Sequence, residues 1–251
     1  MPKLKTVKLP KQYIYEGGVT NPLYKRFHGW EKLSVSQINS FTDEQYKGGY
    51  YAGYFLKLPD EGNIFAKFGS MCGTHYETDG VDCHEYLSPE DIETLKKLPR
   101  PKTARYETEV VLDLEPFGLA KTCMQGFIDS EDEPEPKKVI ITDLKTGNHK
   151  DKLDYYGSLE YSQTTFYSYV RDLEGYEILG SQVYLLERLG NTLDKTAFNK
   201  TGNPLWLRLS GKMEVIPTPY SRERAEKYLK SVAKTAVEIS DAYAIFNKYF
   251  K

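Results

Sequence analysis

A chain of 251 residues is long enough to bury one substantial core. With 39% hydrophobic and 28% charged residues, and apolar runs only a few residues long, it reads as a globular protein without a transmembrane helix or other membrane association. A formal net charge of −2 argues against a uniformly basic nucleic-acid binder, so any phosphate-binding surface has to be a local patch. No segment reads as a linker, and a single domain over 1–251 is the simplest expectation. Cys72, Cys83 and Cys123 stand too far apart for a CxxC pair and are odd in number, so a reducing, cytoplasmic setting is expected.

In chain order, the first twelve residues carry Lys3, Lys5, Lys8 and Lys11 with no apolar stretch behind them, which is not a secretory signal. They read as a frayed, solvated terminus, the alternative being a basic arm on a phosphate backbone. Ser34 or Ser36 can cap a helix running through Ile38 and Phe41. Tyr46, Tyr50, Tyr51, Tyr54 and Phe55 form an aromatic run that reads as core, with base stacking as the alternative.

Residues 64–79 read as a helix interrupted by Gly69 and Gly73, four apart and therefore on one face that another segment can approach closely; His75 follows directly. Ser88, Pro89, Glu90 and Asp91 are a helix start, with cap, proline and acids in order. From Arg105 the pattern turns to strands at 106–115, 119–132 and 138–145. A helix over 151–171 should follow, with Leu153, Tyr156, Gln163, Tyr167 and Val170 on one stripe, then a strand at 177–188. Ser210-Gly211 between apolar runs predicts a hairpin. The tail from Ser221 predicts an amphipathic helix striped by Ala225, Leu229, Val232, Ala236, Ile239, Tyr243 and Phe246. This order of elements predicts a mixed α/β sandwich.

The 119–145 hairpin carries the chemistry. If its turn centres near Pro136, Asp129 falls opposite Asp143, with Cβ atoms roughly 4.5–5.5 Å apart. Lys145 then shares a face with Asp143, while Leu144 points the other way. Two facing carboxylates repel, and a divalent cation between them would relieve this; oxygen ligands with open water positions suit Mg²⁺ or Mn²⁺. The plain alternative is that both aspartates merely end strands and Lys145 is their salt-bridge partner. Gln163 interrupts an apolar helix face one turn before Tyr167, as a core amide or as a substrate contact. His75 is either a satisfied buried histidine or a third metal ligand.

Gly126 to Asp129, Asp143-Leu144-Lys145-Thr146-Gly147 and Gln163 with Tyr167 resemble the GxxD, DxKTG and QxxxY elements of the RecB-like branch of the PD-(D/E)XK nuclease superfamily. Gly69 to His75 is similar to that branch's upstream histidine helix, and Leu33 to Phe41 to its opening. The likeness spans about residues 33–188, leaving a C-terminal hairpin and helix over 189–251.

The resemblance implies a restriction-endonuclease-like α/β fold, a small mixed sheet flanked by helices. It implies His75, Asp129, Asp143 and the Leu144 carbonyl as metal ligands, Lys145 as the catalytic lysine, and Gln163 and Tyr167 contacting DNA or bracing the site. Glu107 or Glu109 is a further acid, with nothing in the sequence to select between them. Several relatives carry an iron–sulfur cluster with cysteines after the QxxxY helix. This chain has no cysteine beyond Cys123, so no cluster is expected.

The expected activity is therefore a Mg²⁺- or Mn²⁺-dependent deoxyribonuclease, an exonuclease in replication, recombination or end processing. Small stand-alone members are frequent in phage, and a single-strand annealing or replication protein would be a natural partner. The other readings are a catalytically silent nucleic-acid- or partner-binding module on the same fold, and a structure-specific or restriction-type endonuclease.

Overall fold

The computed structural model describes residues 3–10, 26–44, 47–58, 64–78, 87–100, 102, 105–158, 161–190 and 207–250. Lys11, Tyr46 and Cys83 lie outside them. The chain forms two compact units, one built from residues 1–60, 109–127 and 221–251, the other from 61–108 and 128–220.

In the first unit, strand β1 (Lys5–Thr6) pairs in parallel with β4 (Leu119–Ala120), and β2 (Glu31–Leu33) with the opening of β5 (Thr122–Glu135). Behind β1, Val7 and Leu9 are 1% and 3% exposed, and the Leu9 amide donates to Glu31. The N-terminus is thus anchored from Lys5, and the expectation of a frayed terminus is corrected: two apolar residues between lysines find core positions.

Helix α1 (Val35–Thr42) is capped by Ser34, with Gln37 completing the capping box. Helix α2 (Lys47–Tyr50) runs into a π-helical turn at Tyr51–Phe55, where Tyr50 and Phe55 are buried. These two rings are core, as read. The C-terminal helix, numbered α7 below (Arg222–Phe250), buries Ala225, Leu229, Val232, Ala236 and Ile239 completely; Tyr243 and Phe246 meet Phe55 edge-on or tilted. The expected stripe therefore closes this core. No helix of the described residues is long and apolar enough to cross a membrane.

The second unit holds the start of β3 (Arg105–Asp113), helices α3 (Ile64–Thr78) and α4 (Pro89–Lys97), and a sheet ordered β5, β6 (Lys138–Gly147), β7 (Glu177–Leu189), β8 (Arg208–Pro217). β6 is antiparallel to β5 and parallel to β7, so the chain must cross over between β6 and β7. Helices α5 (His149–Gly157) and α6 (Gln163–Leu173) make that crossover.

The strand alternation of β6 divides its neighbours. Leu144 packs with Phe68, Cys72 and Tyr76 of α3 and with Leu186. Thr146 meets the same helix at Gly69, where an added Cβ would stand 2.8 Å from its hydroxyl. What comes close to Gly69 is a side-chain hydroxyl and not the backbone expected of a glycine face, and α3 continues through its glycines as one helix. On the other face Leu153, Tyr156 and Tyr161 cover Val183, Leu185 and Ile216.

Two expected elements are corrected. The 151–171 helix is broken, because the amide and hydroxyl of Ser158 both donate to the Tyr155 carbonyl and close α5 just past Gly157. Ser210-Gly211 is no hairpin: β8 is one strand along β7, and three residues bulge opposite Glu187, with Gly211 taking φ +85. The described part of this segment, from residue 207, has its partner in β7, so the glycine serves a bulge and not a reversal.

Candidate active site

The turn between β5 and β6 is Pro136-Lys137, with Lys137 at φ +62. From it the ladder pairs Asp132 with Ile140, Glu131 with Ile141 and Ser130 with Thr142. This is the register from which the sequence places Asp129 opposite Asp143, one step further along. Asp129 reaches across: its Oδ2 accepts the Leu144 amide at 2.7 Å.

Asp143 is completely buried. Its Oδ2 accepts from Lys145 Nζ at 2.6 Å and from the Tyr161 hydroxyl at 2.7 Å. Its Oδ1 is buried with no hydrogen-bond partner. A buried acceptor left unmade costs about 1–3 kcal/mol, so such an atom asks for a donor or a cation.

The electrostatics match the crowding. Burial, then the neighbouring Asp143 charge, push the Asp129 carboxyl up to about 7, against the pull of Lys145 and the Leu144 amide. Glu107 adds to the rise. Burial alone would depress the Lys145 ammonium, but Asp143 and Asp129 outweigh it and hold the lysine protonated. Burial and the Asp143 charge also raise the Tyr161 phenol well above its usual value, which keeps it a proton donor.

Of the two candidate acids on β3, the structure sets Glu107 within electrostatic reach of Asp129, whereas Glu109 accepts from the Gln125 amide in the first unit. Glu107 sits at φ +45, a left-handed conformation that a non-glycine residue adopts only when its surroundings compel it. His75 is buried on α3 at 1% exposure. Among the described residues no three histidine, cysteine, aspartate or glutamate side chains converge as a preformed metal cage, so His75 does not share one with the two aspartates.

Gln163 opens α6, and its amide nitrogen donates to the Tyr167 hydroxyl at 2.8 Å, Tyr167 being buried. The pair therefore braces itself one turn apart. Reasoning from the sequence missed Tyr161, which falls in the helix break, and the buried Glu131, which Arg171 of α6 grips with both Nε and Nη2. The signal for Arg171 was its position two turns beyond Gln163 on the same helix face.

No protein-family model matches the chain, and no curated sequence matches it. Among solved structures, a provisionally named exonuclease from Eubacterium rectale superposes with a TM-score of 0.55 at 14% identity, over 90% of this chain and 88% of that one. The likeness is one of fold. A phage-related exonuclease from Haemophilus somnus 129PT gives a TM-score of 0.42 at 12% identity over 95% of each chain. In this chain the aspartate pair sits on a central mixed sheet.

Proposed function

We propose that this chain is a divalent-metal-dependent phosphodiesterase acting on DNA, an exonuclease on a PD-(D/E)XK-type fold of the RecB-like branch. The observation that carries the reading is the buried Asp143, gripped on one oxygen by Lys145 and bare on the other, with Asp129 across the ladder. The fold likeness to the Eubacterium rectale protein agrees with it.

The donor set fits a hard cation: Asp129, the free oxygen of Asp143 and the Leu144 carbonyl supply oxygen ligands suited to Mg²⁺ or Mn²⁺. His75 would be the further ligand that the resemblance implies. Such an ion polarises a phosphoryl oxygen and acidifies a bound water. The chain's own groups do the rest. The aspartates supply the negative charge that holds the site together. Lys145, kept protonated, donates to a phosphate oxygen and offsets developing charge. Gln163 and Tyr167 brace each other at the start of α6, and the partly exposed Gln163 would be the one to meet DNA.

In the cell the reading places the protein in the cytoplasm, of the host if phage-encoded, in replication, recombination or end processing, with a single-strand annealing or replication protein as partner. The alternative is a catalytically silent module on the same fold, and calorimetric titration with Mn²⁺ separates the two: no binding supports the module, and a site abolished by Asp143→Ala opposes it.

The deciding experiment is digestion of end-labelled single- and double-stranded DNA beside a closed circle, with Mg²⁺ or Mn²⁺. Linear substrates should shorten from an end and the circle survive. Lys145→Ala and Asp129→Ala should abolish digestion while circular dichroism stays unchanged. A wild type inert on every substrate with either metal rules the activity out.

A further inference from the structure

Tyr161 lies in the break between α5 and α6, 3% exposed, and belongs to none of the sequence motifs. Its ring is held edge-on by Tyr156, with centroids 5.1 Å apart, and by Tyr155 at 5.8 Å. Leu153, Val183 and Leu185 complete the surrounding core. The hydroxyl is therefore a donor fixed in place, which is the condition for orienting another group.

Among the described residues that hydroxyl lies near Asp143 Oδ2 at 2.7 Å and Gln163 Oε1 at 3.5 Å. The charged and nearer oxygen takes its proton. Lys145 also donates to Oδ2. Two donors thus converge on one oxygen of Asp143 while Oδ1 keeps none. A carboxylate facing an ammonium alone can rotate to share both oxygens with it; a second, immobile donor on Oδ2 stops that rotation.

We infer that Tyr161 is a positioning residue of the site: it locks the Asp143 carboxylate so that Oδ1 is presented to the ion while Lys145 stays on Oδ2. The inference rests on the metal-dependent reading above and deepens it. Gln163, within 3.5 Å of the hydroxyl and bonded to Tyr167, backs Tyr161 from α6. The QxxxY pair then acts on Asp143 through an intervening tyrosine.

The test is Tyr161→Phe, which keeps the ring and removes the hydroxyl. Mn²⁺ affinity is measured by calorimetry on the full chain without DNA, beside the Mn²⁺ dependence of cleavage and the melting temperature. Loss of such a supporting hydrogen bond weakens metal binding about 10- to 100-fold, and cleavage should need correspondingly more Mn²⁺. Leu153→Ala, a packing change in the same cluster, should lower the melting temperature and leave Mn²⁺ affinity unchanged. Tyr161→Met serves the same purpose should phenylalanine disturb folding.

A Tyr161→Phe protein whose Mn²⁺ affinity stays within twofold of wild type overturns the inference while leaving the nuclease reading intact. A wild type that binds Mn²⁺ but cleaves nothing, with binding weakened by Tyr161→Phe, sinks the nuclease reading and upholds the inference. A wild type that binds no Mn²⁺ overturns both.

Discussion

A carboxyl at about 7 beside a buried carboxylate means that, without metal, folded Asp129 keeps a proton that the unfolded chain gives up near pH 4. The folded state then binds more protons across that interval. Stability therefore falls as pH climbs from about 4 to about 7 and levels off above. Asp129→Asn removes the liability. In chelator, wild type and Asp129→Asn should melt together near pH 4, and by pH 8 the variant should melt higher by several degrees. Adding Mn²⁺ at pH 8 should raise the wild-type melting temperature and leave the variant's unchanged. Scanning calorimetry at the two pH values, with and without metal, checks both statements; a variant that melts lower than wild type at pH 8 in chelator contradicts them.

At the scale of elements, α6 is tied to β5 through Arg171 and Glu131, and Arg105 grips the same carboxylate. Burial pushes Glu131 up, but the two guanidiniums more than offset it and its carboxyl ends below the usual range. A depressed carboxyl gives stability that is present above the unfolded value and lost as pH falls through the folded one. Glu131→Gln keeps the shape but removes the buried charge between the two guanidiniums, leaving Arg171 with Glu174 alone, and should cost about 1–3 kcal/mol by urea titration at pH 7, the gap to wild type narrowing in acid. Helix α3 rests on β6 through Gly69, where a Cβ would press on the Thr146 hydroxyl. Gly69→Ala should therefore destabilise by about 1–3 kcal/mol. In a Thr146→Ala background the clash is gone, and the same change should cost nothing or add up to about 1 kcal/mol through helix propensity.

At the scale of the whole molecule, the aspartates, Lys145 and Tyr161 all belong to the second unit, whereas α7 closes the core of the first. Leu229 is completely buried in that core. Leu229→Ala should cost about 2–5 kcal/mol in urea titration while leaving the hydrogen bonds around Asp143 untouched. The amphipathic stripe of α7 was legible because a 3.6-residue period repeated over eight turns admits one reading. The anchored N-terminus was not, because a two-residue strand with Val7 and Leu9 behind it is too short to show a period.

The face-to-face aspartates and the lysine beside them followed from the sequence alone. A short turn sets register, strand alternation sets the face, and both act over a few residues of a continuous hairpin. Tertiary structure alone decided that Tyr161 reaches Asp143, that Glu107 acts on Asp129, and that, among the described residues, His75 is in no preformed group of three metal-ligating side chains. Each depends on how a helix break, a strained strand residue or a separate helix packs against the sheet. Packing of that kind is settled by shape and burial across long stretches of chain, and no spacing within the sequence records it.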